Sequence, residues 1–416
     1  MTHAIPTPQP LGIFPPPAHQ LLLPRLPDSQ ADQAARARLM QGRLPEAWPP
    51  PWRFFALALD GQAEAAQALL AQDDAPVARH NRFLLAPSSE AYPALASTLT
   101  GELRELLDAA AYTYGLLDTP PAAHAAQEER RAFLRMVQAA HALEREDFQG
   151  AVALLEEAVA DARPSSPLLA GQLLAALADA RLAWQGLDPR AVLHYREALS
   201  LIPEDALPRV RAEIALNLGI LYQEMANGQR GPLLEAAKCY QTALLTLSRE
   251  EQPELYALAH NNLALAYLAM PLTTASDQLR VAIAVQSLRE ALKVYDRESH
   301  PEQWASAQLN LANALQHLPS AHPRENLAQA VELYEELLAV RDPAQDPLGY
   351  ARLLANQGNA LAHLGIFVHA APKLEEALAL FQRHGELDAA AAVQEILADI
   401  RLQRNGSPPR QVQNAD

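Results

Sequence analysis

From about residue 125 onward, the apolar positions fall into paired helical stripes that repeat along the chain. The first helix of each pair carries a small residue at a recurring place: Ala178, Gly219, Ala264, Ala312 and Gly358, spaced 41, 45, 48 and 46 residues apart. Around four of these the strings ALNLGILY, HNNLALAY, QLNLANAL and LANQGNAL align. The second helix of each pair carries Ala, a bulky residue four positions on, and a small or apolar residue three after that. These sets are Ala191/Tyr195/Ala198, Ala236/Tyr240/Ala243, Ala284/Leu288/Ala291, Ala330/Tyr334/Leu337 and Ala370/Leu374/Ala377, with Ala151/Leu155/Ala158 marking an earlier, weaker pair. One pair cannot bury its own apolar stripe, so neighbours must stack to make a continuous core. Small residues at the helix crossing permit close approach, and the bulky residue fills the space beside it. The expected fold is therefore all-α, an α-solenoid of stacked antiparallel helix pairs.

This pattern resembles the tetratricopeptide repeat family over roughly residues 130–385, about six units. Tyr222 and Tyr267 fill the family's bulky place in the first helix, with Leu315 and Leu361 as apolar stand-ins. The resemblance implies a right-handed superhelix whose first helices line a concave groove. There are departures: Arg181 occupies the bulky place in the second unit, and the family's tryptophan is missing throughout. Loops are long at Ala226 to Pro232 and Pro271 to Asp277, and the long spacing is similar to that of bacterial signalling and kinesin-light-chain-like arrays.

The flanks read differently. Residues 1–51 hold twelve of the 33 prolines and are expected to be an extended or disordered arm. Leu11-Gly12-Ile13-Phe14 and Leu21-Leu22-Leu23 are apolar for a linker, and are candidates to dock on the chain's own first helices or on a partner. Residues 52–121 read as a helical N-terminal region, with Phe54 to Leu59 and Ala63 to Leu70 flanking Asp60-Gly61, then a helix from about Gly101 to Leu117. The repeat array spans 122–385, Leu387 to Arg404 fits a capping helix within 386–404, and 405–416 is an expected disordered tail.

Composition narrows the chemistry. The chain has 416 residues and a formal charge of −16, which argues against nucleic acid or an anionic membrane surface as the main partner. A single cysteine, Cys239, excludes an internal disulfide and any multi-cysteine metal site. The N-terminus lacks a secretory pattern, and Leu255 to Ser276, though uncharged, contains His260, Asn261, Asn262 and Pro271. A helix and loop is the better reading there, and the default location is cytoplasmic.

No catalytic or phosphate-binding signature is present, so neither enzyme activity nor a cofactor or metal is expected. His260 reads as a packed helix residue, Cys239 as an inert one, and Glu156-Glu157, Glu335-Glu336 and Glu375-Glu376 as a solvated outer face. The candidate groove residues are the asparagines two positions before the small residue, Asn217, Asn262, Asn310 and Asn356, with Asn313 and Asn359 one position after it. An amide can donate and accept at once, which suits an extended peptide backbone. In peptide-binding relatives, asparagines at these places hold ligand backbone, so the resemblance implies that role; bridging between adjacent helices is the alternative. Arg352, His317 and His363 are further candidates at the same end. A carboxylate clamp is disfavoured, because its lysine place holds Leu216, Asn261, Leu309 and Ala355. The expected function is a non-catalytic module that binds a protein or peptide segment in its groove. The alternatives are an assembly chaperone for a bacterial multisubunit enzyme, or a sensor inhibited by its own arm; homo-oligomerisation stays open.

Overall fold

The computed structural model describes residues 5–25, 30–124, 128–271 and 277–404. The tail at 405–416 and most of the 271–277 loop lie outside these residues. Every regular element among the described residues is helical. The chain divides into two compact units, residues 1–225 and 226–416.

In the first unit, residues 5–25 form an irregular arm, followed by α1 (Gln30–Met40), α2 (Arg53–Leu59), α3 (Ala63–Leu70), α4 (Pro76–Leu85), α5 (Ala91–Ala96) and α6 (Glu102–Thr113). Two helix pairs follow, α7 (Glu128–Glu144) with α8 (Phe148–Ala162) and α9 (Pro167–Gln185) with α10 (Pro189–Leu201), then α11 (Pro208–Glu224). The second unit contains α12 (Arg230–Leu244), then the pairs α13 (Pro253–Leu268) with α14 (Asp277–Ala291), α15 (Pro301–Gln316) with α16 (Pro323–Leu338), and α17 (Pro347–His363) with α18 (Phe367–Arg383). The last helix, α19 (Leu387–Arg404), packs on α18.

The ends of these helices follow from their residues. Proline opens α9, α10, α11, α13, α15, α16 and α17, where its missing N–H costs nothing. Asp147, Asp188 and Asp346 cap α8, α10 and α17 by accepting from the backbone N–H of Gly150, Arg190 and Gly349 at 2.9, 2.9 and 2.8 Å. Helix α12 begins at Arg230, ahead of Pro232, so the loop before it is shorter than the sequence suggests.

Within each unit, helices from α2 onward pack on their neighbours in chain order. The small residues sit where the two helices of a pair meet. A Cβ on Gly358 would come within 2.6 Å of Leu374 Cγ, so the α17–α18 contact requires glycine. The second-helix tyrosines Tyr195, Tyr240 and Tyr334 are at most 1% exposed. In α7 the equivalent small residue is Ala139, 1% exposed, twelve positions before Ala151 just as Gly358 precedes Ala370.

The arm departs from expectation. Residues 30–40 contain no proline and form α1, and most of residues 9–14 and 18–23 is buried rather than loose. Leu11, Ile13, Leu21, Leu22 and Leu23 are at most 1% exposed. Asn81 of α4 accepts from Leu22 N–H at 2.9 Å and donates to Leu22 C=O at 2.7 Å. The side chain of Gln9 does the same for Leu23 at 2.8 and 3.0 Å. These amides satisfy backbone groups that no helix or sheet would otherwise pair.

Candidate functional site

Helical spacing puts five first-helix places on one face: six, three and two residues before the small residue, and one and five after it. In α17 these are Arg352, Ala355, Asn356, Asn359 and His363. In α15 they are Ser306, Leu309, Asn310, Asn313 and His317. Ser306, Arg352, His317 and His363 are exposed, and the four asparagines are half-buried.

The structure joins Asn313, Asn356 and Asn359 into a network. Tyr334 of α16 donates its hydroxyl to Asn313 Oδ1 at 2.6 Å, and Asn356 Nδ2 donates to the same oxygen at 3.1 Å. Gln316 Nε2 donates to the Tyr334 hydroxyl at 2.7 Å, and Asn359 Nδ2 donates to Gln316 Oε1 at 3.4 Å. Burial raises the Tyr334 hydroxyl above its ordinary range and keeps it neutral. The network thus braces α15 to α16 and α17. The Nδ2 of Asn313 and the Oδ1 of Asn356 take no part in it.

A matching set exists in the first unit. Tyr195 of α10 donates to Asp179 Oδ1, and Asn217 of α11 donates to the same oxygen at 3.4 Å. Asp179 follows its small residue as Asn313 follows Ala312. Partial desolvation pushes the Asp179 carboxyl up, although the residue touches solvent. Asn217 is therefore held with Asp179, in a different unit from the other five asparagines. Where the place after the small residue is apolar, as at Leu265, no such acceptor exists. Asn310 accordingly has no hydrogen-bonded partner among the described residues, and Asn262 accepts only from Asn261 at 3.3 Å. Arg352 likewise forms no ion pair among them.

All six paired glutamates are exposed, as an outer face requires. The paired glutamates do more than face water. Glu156 pairs with the buried Arg181, and Glu157 with Arg135 at 2.7 Å. Glu335 accepts from Gln357 Nε2 at 2.6 Å and faces Lys373 at 3.4 Å; Gln308 Nε2 donates to Glu336 at 2.5 Å. The signal was their recurrence five and six residues after the second-helix alanine. Arg181 fits its bulky place because Glu156 and Asp188 neutralise it. His260 is half-buried, edge-on to Tyr256 at 4.4 Å, and burial holds it below the usual histidine range.

In the first unit the start of the same face, on α7 and α9, is covered by the chain itself. Six residues before the small residue stand Phe133 in α7 and Gln172 in α9. A Cβ on Gly12 of the arm would lie 3.5 Å from Phe133 and 2.6 Å from Leu169. Gln172 Nε2 donates to Ile13 C=O at 3.0 Å, and Glu129 of α7 accepts from Gln9 N–H at 2.9 Å. Among the described residues, no helix is long and apolar enough to cross a membrane.

No protein-family profile matches the chain, and no curated protein does. Several solved structures of helical proteins are similar. BtubC (BKLC) from P. vanneervenii is 22% identical over 66% of this chain and 97% of its own, with a TM-score of 0.37. Yeast Tom70 is 13% identical over 94% of this chain and 69% of its own, with a TM-score of 0.34. The human IFIT1 dimer with PPP-AAAA is 14% identical over 89% and 98%, with a TM-score of 0.31.

Proposed function

We propose that the protein is a non-catalytic interaction module, and that the first-helix face of its second unit binds an extended segment of a protein partner. The observation that carries this reading is the row of half-buried amides on α13, α15 and α17, with Asn310 and Arg352 free of side-chain hydrogen-bonded or charged partners among the described residues. Partly buried amides that lack partners gain from a peptide backbone that supplies both a donor and an acceptor. Asn313, Asn356 and Asn359 act chiefly as the brace that holds this face, offering the polar atoms their own network leaves over. Asn262, His317 and His363 line its edges. The acidic chain favours a neutral or basic partner through steering. A cytoplasmic setting and the long-spacing bacterial type of repeat belong to the same reading. The deep burial of Leu21, Leu22 and Leu23 favours a fixed arm over one that a partner displaces.

The test is affinity capture from the native host with wild-type protein and an Asn310→Ala/Arg352→Ala variant of matched helicity. A partner captured by the wild type and lost from the variant supports the reading. A partner retained by both places binding elsewhere. Capture confined to newly synthesised, unassembled subunits identifies a chaperone instead of a persistent scaffold.

A further inference from the structure

Beside the arm, the first unit holds a cleft of about 570 Å³, within the range of small-ligand sites. It runs along the same face of α7 that the candidate groove uses in α15 and α17. Phe133, Val137 and Ala140 supply an apolar floor, and Glu144, five places after Ala139, stands at one end. That end is organised. The Tyr112 hydroxyl donates to Glu144 Oε2 at 2.7 Å and lies 2.9 Å from His141 Nδ1, with the two rings edge-on at 5.4 Å. Because the hydroxyl's one proton goes to Glu144, it accepts from His141, which must then carry hydrogen on Nδ1. One carboxylate oxygen is thus anchored while Oε1 stays uncommitted.

Three charged side chains line the cleft: Asp118, Glu144 and Arg145. The two carboxylates outnumber the guanidinium, and Glu144 is the last residue of α7, where the backbone carbonyls add negative potential. We propose that this cleft binds an ammonium group carried on an apolar body, with Glu144 receiving the ammonium and Phe133, Val137 and Ala140 the body. Two sources share that chemistry: a free apolar amino acid and the N-terminal residue of a polypeptide. Arg145 separates them, because only the free amino acid brings a carboxylate for its guanidinium. This site is independent of the peptide face on the second unit, and either can fail alone.

The test is calorimetric titration of the full chain with L-phenylalanine, L-phenylalaninamide and N-acetyl-L-phenylalanine, for which millimolar dissociation constants are the expected scale. Phenylalanine or its amide should bind saturably and N-acetylphenylalanine at least about tenfold more weakly, since acetylation removes the charge that Glu144 would meet. Glu144→Gln should weaken the tightest ligand by about tenfold, and Ala140→Trp, which fills the cleft from an exposed position, should abolish binding. Equal affinity for phenylalanine and its amide assigns the site to a chain N-terminus; a weaker amide assigns it to a free amino acid. The proposal is overturned if none of the three binds, if N-acetylphenylalanine binds as tightly as the others, or if Glu144→Gln changes nothing while the fold is intact.

Discussion

Six residues before the small residue, α7 and α9 of the first unit carry Phe133 and Gln172, and residues 9–13 of the same chain lie against them. At that register α15 and α17 of the second unit carry Ser306 and Arg352, both exposed. The same place is thus covered on α7 and α9 by a segment of the same chain and left polar and exposed on α15 and α17. The helices hold the arm as they would hold a bound peptide: Asn81 grips both backbone groups of Leu22, Gln172 donates to Ile13 C=O, and Glu129 accepts from Gln9 N–H. What separates a permanent occupant from an exchangeable one is burial. Leucines at 0% exposure contribute core stability, whereas a face of half-buried amides contributes little until something pairs with it.

The largest test of this contrast removes part of the arm's anchor. Leu22→Ala should cost about 2–5 kcal/mol, and denaturation followed by hydrogen exchange should show the loss in the first unit alone. Acid should separate the units next. Burial lowers His19 and His80 to about 4, so below the ordinary histidine pKa the unfolded chain takes protons that the native first unit refuses. Its stability is full above about pH 6.5 and falls as the pH drops towards 4, by on the order of a few kcal/mol. Replacing His80 with Gln should flatten that fall, measured as melting temperature against pH. His260 gives the second unit a loss of the same sign.

Two smaller effects compare the matching tyrosine sets. Tyr334→Phe removes a donor to Asn313 and an acceptor for Gln316, and should cost the second unit about 1–2 kcal/mol in urea unfolding. In the first unit, Asp179 is raised, so its proton is bound more tightly in the native state. The stability it contributes is present at low pH and lost as the pH rises from near 3.8 through the raised value. Asp179→Asn copies the chemistry of Asn313, keeps an acceptor for Tyr195 and Asn217, and should remove that loss. The expected outcome is a small gain at neutral pH and a flatter pH profile of melting.

The helix pairs were legible because their signal is local: apolar spacing, a small residue at each crossing, and a bulky residue beside it. The span of α19, Leu387–Arg404, coincides with its apolar stripe for the same reason. In α4 a signal was present and passed over, since Pro76 opens it and Phe83, Leu84 and Leu85 bury one end. The arm's place was harder to read. Proline density argues against regular structure and says nothing about burial, and the side chains that satisfy its backbone, Asn81 and Gln172, lie 59 and 159 residues from their partners. The asparagine places were visible from spacing, but their division into braced and unbraced residues was not. It depends on Tyr334 presenting a hydroxyl beside Asn313, while Leu265 offers Asn310 nothing comparable.

Amide hydrogen exchange at Leu22 and Leu23 in the full chain tests the central contrast most directly. If the arm is a fixed part of the first unit, both amides exchange as slowly as those in the middle of α7 and α9. They should also lose that protection together with those helices when Asn81 is replaced by Ala. Exchange at the rate of an unstructured peptide, while α7 and α9 remain protected, would contradict the account and add the part of the first-unit face under residues 9–13 to the open binding surfaces.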